Sequence, residues 1–423
     1  MQTDDTIHHA TDHLFRRESA RLVALLTGIF GIQHLQLAED VVQDTLVKAL
    51  EQWKINGLPA NPGGWLYRVA KNKAIDVLRR EKHKAPFPEN IDRLLQADSS
   101  PAGDVTAEHH AISDDQLRMM FTCCHPGISV ESQLALVLKT LCGFSVTEIS
   151  KAFLTPADTI EKRLYRSREF FRENRVAFEI PDEMELPARM DNVLMAIYLL
   201  FNEGYNSTQH ASLIREDLLE ESFRLAEWLA RHPLTKQPRI CALLAQMSFT
   251  RARTPARVDE NGNILLLKEQ DRSKWDRHWI ERGIEWLDQC AQGDLTSYHL
   301  EAGIAYEYIR APSYERTNWQ VILGFYDLLY EMKPTPVVAL NRAVVLGEWK
   351  GYAEALAYLE KQVSPKELEN YYLYHAVMGE FLERNDRGAE ALNHYEKARS
   401  LTRSGAEKNL LERKIARISN HSL

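Results

Sequence analysis

The sequence predicts an all-α protein of two or three domains, and three observations carry that expectation. Apolar residues recur at helical, heptad-like spacing over almost the whole chain, whereas alternating strand-like runs are nearly absent. At 423 residues the chain exceeds one ordinary core. A hydrophobic content of 44% with 26% charged residues is that of a globular protein in water. The start, "MQTDDTIHHATDHLF", has no apolar core behind a basic head, so no secretory signal is expected. The longest apolar run, "VLMAIYLLF" at 193–201, falls short of the roughly 20 residues that cross a bilayer. A cytoplasmic location without membrane contact is expected. The five cysteines, Cys123, Cys124, Cys142, Cys241 and Cys290, are odd in number and widely spaced, which points to reduced thiols. A formal charge of −8 is unusual for a protein that holds bare duplex unaided, so any DNA contact is local or assisted by a partner.

The first block, residues 1–84, carries apolar stripes in "ESARLVALLTGIF", "AEDVVQDTLVKALEQW" and "WLYRVAKNKAIDVLRRE". The Pro and Gly residues of "INGLPANPGG" separate the last two helices. Residues 85–111, rich in Pro, Ser and acids, read as a flexible linker. Helical pattern resumes for a second block, 112–178, and breaks again at "FEIPDEMELP" before a helical region, 179–423. In that region Asn261 and Gly262, between short extended runs, predict a small two-stranded hairpin. Trp275, Trp279 and Trp286 follow near one face of a helix. Two later stretches, "ALNRAVVLGEWKGYAEALAYLE" and "LYHAVMGEFLERNDRGAEALNHYE", repeat a small residue (Ala343, Ala376) and an "AEAL" helix start (Ala355, Ala391). The spacings, 33 and 36, approach the helix-turn-helix repeat of about 34 residues that stacks into arrays.

Three local patterns bear on function. In "GFSVTEISKAFLTPADTIEKRLYRSREFF", Val146, Ile149 and Phe153 suit a supporting helix, with Leu154-Thr155-Pro156 as the turn, Thr155 as N-cap and Pro156 in the first turn. The next helix buries Ile160, Leu164 and Phe171 and turns Thr159, Lys162, Arg163, Arg166 and Arg168 outward, as a DNA-reading helix does; a helical hairpin with a solvated basic face fits equally well. "WLYRVAKNKAIDVLRREKHK" sets Arg68, Lys71, Lys73, Arg79 and Arg80 opposite an apolar side that begins at Trp65. Such a helix spans nearly a turn of duplex, and an aromatic beside it can stack an unpaired base. In "AEDVVQDTLVKAL", Asp40, Gln43 and Asp44 share one side of a helix, with Val41, Leu46 and Leu50 on the others, a surface suited to another protein.

In that order, an acidic docking helix, a basic aromatic helix, a linker and a helix-turn-helix resemble the extracytoplasmic-function class of RNA polymerase sigma factors, with 12–84 as region 2 and 112–175 as region 4. The resemblance implies core RNA polymerase and promoter DNA as partners. It assigns Asp40, Gln43, Asp44, Leu46 and Leu50 to polymerase binding. It assigns Trp65, Arg68, Asn72, Asp76, Arg79 and Arg80 to the minus-ten helix, with base capture in the loop around Asn61, and Thr159, Arg163 and Arg166 to the minus-thirty-five helix. Glu161 and Lys162 depart from the usual pattern there, so a sequence preference does not transfer. The long form resembles the subgroup with a fused C-terminal tetratricopeptide-like domain, through "FTCCHPGIS", "LLFNEGYNST" and "KEQDRSKWD". That domain is expected to regulate or support the rest, by docking within the chain or by taking a peptide or protein ligand. Cys123, Cys124 and His125 lack the paired C-x-x-C that completes a zinc site, and Asn202, Glu203, Tyr205, Asp271 and Arg272 contain no fixed acid–base pair. No metal, cofactor or catalytic residue is expected, and a polar network tying the hairpin to the helices is. The alternative is a stand-alone helix-turn-helix regulator with a tetratricopeptide-like sensor.

Overall fold

The computed structural model describes residues 15, 18–81, 115–153, 155–182, 184–206, 214–402 and 404–421; the expected linker, 85–111, and Leu154 lie outside them. Regular structure among these residues is helical. The chain divides into two compact units, Met1–Ala196 and Ile197–Leu423, so the two N-terminal blocks share one unit.

In the first unit, helix α1 (residues 18–30) buries Leu22, Val23, Leu26 and Phe30. A 3-10 turn, Ile32–His34, leads into α2 (Leu35–Asn56). The loop then reaches α3 (Pro62–Glu81), which packs on α2 through a stripe of Leu66, Ala70 and Ala74, all buried. Residues 115–123 form α4. Helix α5 (Val130–Leu136) runs on as a π-helical turn, Val137–Leu141, and α6 (Val146–Phe153) and α7 (Ala157–Glu173) follow. A capping box starts α6: the Ser145 N–H donates to Glu148 Oε2 at 2.8 Å and the Glu148 N–H to Ser145 Oγ at 3.2 Å. At α7 the cap moves one residue from its expected place. Pro156 is the N-cap, its carbonyl accepting from the amides of Thr159 and Ile160, while the Thr155 hydroxyl turns back to Phe153 O at 3.2 Å. Helix α7 packs on α5, on α6 and on the turn before α2.

Helix α8 (Leu186–Tyr205) crosses the division. The second unit follows with α9 (Glu216–Arg231), α10 (Pro238–Ala252), α11 (Arg277–Gln289), α12 (Ser297–Arg310), α13 (Trp319–Met332) and α14 (Pro336–Lys350). It ends with α15 (Tyr352–Gln362), α16 (Tyr372–Arg384), α17 (Gly388–Leu401) and α18 (Gly405–His421). Helix α10, buried along most of its length, receives α9, α11 and α12, and from α12 onward each helix packs on the next. Such short connections between neighbours make antiparallel pairs.

The repeat has one register. Helices α14 and α16 begin at Pro336 and Tyr372, and their partners α15 and α17 at Tyr352 and Gly388, a shift of 36 residues both times. The counterpart of Ala343 is therefore Gly379, one helical turn beyond the Ala376 that the sequence favours. A side chain at Gly379 would meet the buried Tyr395 ring at 2.6 Å, so the helices touch there only because it has none. Gly351 alone joins α14 to α15, at a φ of +102° that side chains rarely adopt.

Two expectations change in the arm between α10 and α11. The hairpin reduces to one antiparallel bridge, Val258 with Ile264. The Asp259 carboxylate takes the amides of Asn261 and Asn263 at 2.9 and 2.8 Å, satisfying the tip locally, and 3-10 turns at Leu267–Glu269 and Arg272–Lys274 end any ladder. Trp275 is buried but precedes α11, so only Trp279 and Trp286 belong to that helix.

Candidate functional site

The sequence-predicted residues form three surfaces on the first unit and one network in the second. Helix α2 is two-sided. Ala38, Val41, Val42, Thr45 and Ala49 are buried, while Asp40, Gln43, Asp44, Val47 and Leu50 are exposed, Val47 by 55% and Leu50 by 54%. Leu50 thus joins the acidic side and Leu46 is half-buried. Val47 is missing from the sequence-based set because an aliphatic residue on an amphipathic helix reads as core. Gln36 donates to Asp40 Oδ1 at 2.8 Å, and Lys73 of α3 reaches Asp44 at 3.2 Å, so the acidic face borders the basic one.

On α3, Arg68 and Asn72 are exposed and Lys73 half-exposed. Lys71 departs from them: at 5% exposure it lies in the protein interior, off the surface the sequence assigns to it. The side chains of Arg79 and Arg80 lie outside the described residues. Trp65 is half-buried, its ring 5.5 Å from Trp53, whose ring lies tilted 5.3 Å from Phe15. Asn61 caps α3, its Oδ1 accepting the Gly64 N–H at 2.9 Å.

On α7, Ile160, Leu164 and Phe171 are buried as expected, Lys162 and Arg166 are exposed, and Thr159 and Arg163 half-buried. Tyr165, between the exposed cations and itself 61% exposed, adds an aromatic that sequence reasoning missed, since tyrosines on helices usually pack. Arg168 turns inward. Its guanidinium reaches Glu39 of α2 at 2.6 Å, and Glu39 is only 5% exposed. Burial pushes the Glu39 carboxyl above the ordinary carboxylate range, against the pull of Arg168 and Lys139.

"FTCCHP" closes α4. Cys123 and Cys124 are buried, burial raises both thiols, that of Cys123 to about 12, and Cys123 Sγ lies 3.1 Å from Thr140 Oγ1. The His125 ring packs 5.2 Å from Phe170 of α7. Among the described residues no three His, Cys, Asp or Glu side chains gather as a metal site would need.

In the second unit three arginines pin the arm to the helices. Arg257 donates to Tyr205 O and, at 3.0 Å, to Asn206 Oδ1, and lies 3.9 Å over the Tyr205 ring. Arg272 donates to Tyr308 O and Ala311 O at 2.8 and 2.9 Å, and Arg413 to Ile264 O at 2.8 Å. Asp271 only caps Ser273. No helix among the described residues is long and apolar enough to cross a membrane.

Residues 14–84 match the family model of Sigma-70 region 2, and residues 189–291 that of a family of unknown function, DUF6596. Over 392 residues, 92% of each chain, the protein is 32% identical to uncharacterized protein R00370 of Rhizobium meliloti (strain 1021). It is 27% identical to ECF RNA polymerase sigma factor SigE of Mycolicibacterium smegmatis over 38% of this chain and 60% of that one. It is 29% identical to ECF RNA polymerase sigma-E factor of Haemophilus influenzae over 32% and 73% respectively.

Proposed function

This chain belongs to one family with the uncharacterized Rhizobium meliloti protein, and because its N-terminal part matches Sigma-70 region 2, we propose that it is an extracytoplasmic-function-type sigma factor. The observation that carries the reading is the α2 face inside the matched segment. There exposed Asp40, Gln43 and Asp44 lead into two uncovered aliphatic side chains, Val47 and Leu50, on a helix whose other side is core. Exposed apolar groups beside charged ones are what a protein partner covers. Core RNA polymerase docks on that face, and the phosphodiester chemistry is the polymerase's.

Promoter DNA then meets two basic surfaces. Arg68, Asn72 and Lys73 of α3, with Trp65 and the loop at Asn61, engage the minus-ten element; buried Lys71 positions this helix from behind. Lys162, Arg163 and Arg166 of α7, with Thr159, engage the minus-thirty-five element, and Arg168 serves the interior. Opening the duplex needs no nucleotide hydrolysis here, because melted strand binds better than duplex: unstacking is offset by base stacking and phosphate contacts. The net charge of −8 keeps the free chain off bulk DNA. The 36-residue helical repeat supports reading the C-terminal part as a tetratricopeptide-like array that regulates or supports the N-terminal unit.

Run-off transcription with purified core polymerase tests this reading. A promoter-dependent product is expected from the full chain, and Asp40→Lys with Asp44→Lys removes both that product and polymerase binding. No product while a control sigma factor is active, or unchanged polymerase binding by the double variant, sinks it.

A further inference from the structure

The second unit contains a cavity of about 500 Å³ that the promoter reading does not use. Its size is that of small-molecule sites, which run from about 300 to 1,000 Å³. The walls are largely aliphatic and aromatic: Ile264, Leu266 and Leu267 of the arm face Val344 of α14, Val377 of α16 and Leu411 of α18. Three carboxylates line it, and their partners differ.

Glu380 is paired. Lys414 bonds it, Arg384 reaches it at 3.2 Å, and although burial alone would raise its carboxyl, these cations bring it down to about 2. Glu407 belongs to a closed network. It accepts from the hydroxyls of Tyr372 and Thr402 and from Asn206 Nδ2 at 3.4 Å, and Asn206 accepts in turn from the buried Arg257. Asn206 thus relays between the one cation and the one anion of that end.

Glu348 is different. Tyr352 donates to its Oε1 at 2.5 Å, and Tyr314 lies near enough that, after burial, the carboxylate raises its hydroxyl pKa, yet Glu348 forms no ion pair among the described residues. Arg384, whose field reaches it, is committed to Glu380 and lies 5.3 Å over the Tyr352 ring. The cavity wall therefore includes one carboxylate, Glu348, that Tyr352 bonds and no cation pairs among the described residues. A carboxylate beside aromatic rings in the wall of an apolar chamber attracts a cation that carries its own apolar body. Of the cations lining the cavity, Arg257 is bonded to Asn206, Lys414 to Glu380, and Lys268, exposed on the arm, acts on Glu380, so an anion placed against Glu348 would meet a charge that none of them pairs.

We propose that this cavity is a binding site for an amphipathic amine, with the ammonium against Glu348, Tyr314 and Tyr352 and the apolar body between the arm and helices α14, α16 and α18. Isothermal titration of the full chain with n-octylamine, octan-1-ol and octanoate tests it. The amine is expected to bind at least tenfold more tightly than either analogue and to raise the melting temperature. Glu348→Gln brings the amine down to the affinity of the alcohol, and Val377→Trp, which fills the chamber, abolishes binding of all three. Equal affinity for amine and alcohol, tighter binding of octanoate, or amine binding untouched by Glu348→Gln overturns the proposal. Should Glu348→Gln not fold, the three-ligand comparison on the unaltered chain decides alone. None of these readouts involves transcription, so they stand apart from a failure of the sigma reading.

Discussion

Glu39 and Arg168 show how one side chain can leave a basic helix face for the interior. The pair is short, but Glu39 Oε1 and Arg168 Nε have no hydrogen-bond partner among the described residues, so desolvation is only partly compensated. Removing one member of a buried pair costs up to about 3–5 kcal/mol, because the remaining charge is stranded. Glu39 has a way out, since its raised pKa lets it take a proton. Arg168→Met is therefore expected to lower the melting temperature more at pH 7.5 than at pH 5, with Glu39→Gln restoring most of the loss. Equal drops at both pH values would contradict this. A second pair, His375 and His394, brings its Nδ1 atoms to 3.1 Å, and His375 Nε2 bonds Glu369 O at 2.9 Å. Burial, then His375, lowers the His394 pKa below 6.5, with Glu390 opposing. The folded state thus binds its proton less readily than the unfolded chain. The stability this contributes is complete above pH 6.5 and is lost as pH falls through the folded value. Melting curves from pH 8 to 5 should fall on the acid side, less steeply for His394→Asn; an unchanged slope refutes the assignment.

At the scale of elements, α2 and α7 were legible because their buried positions follow the helical period. Val41, Ile160, Leu164 and Phe171 fall inside as spacing demands. What spacing cannot reveal is an apolar residue placed outside: Val47 and Tyr165 look like core until neighbours fail to cover them. The opposite error explains Lys71, whose charge argues for solvent while its place in α3 puts it inside. The repeat was legible as a period but not as a register, since Ala376 and Gly379 lie one turn apart and only the helix boundaries choose between them. The hairpin failed for a local reason, the carboxylate of Asp259, which competes with strand pairing. One expectation belongs to α7. With the chain bound to polymerase, Arg166→Ala should weaken promoter affinity across sequences and reduce the salt slope by about one, as loss of a phosphate contact does. Electrophoretic mobility shift at several salt concentrations measures it, and an unaltered slope excludes Arg166 as a phosphate contact.

For the whole molecule, the sequence places its second break at 178–187, whereas the compact units divide at Ala196, inside α8. The reason is visible at Arg189, which lines a cavity with His125 and Phe170 in the N-terminal unit and, after burial, helps to lower the His125 pKa. A chain ending at 196 is thus expected to melt several degrees above one ending at 186, as read by circular dichroism; equal midpoints would place the true boundary earlier. The N-terminal unit has a further consequence in its dimensions. The 145 described residues of this unit, packed like an ordinary domain, have a radius of gyration of about 15 Å. Elements named for positions ten and thirty-five, 25 base pairs apart, are separated by about 85 Å of straight duplex at 3.4 Å per step. If α3 and α7 are the minus-ten and minus-thirty-five surfaces, a straight promoter cannot touch both at once while Glu39 and Arg168 hold α7 against α2. Under the sigma reading the ion pair is a catch on a folding rule, and the polymerase that grips α2 is what lets the rule unfold to its working length.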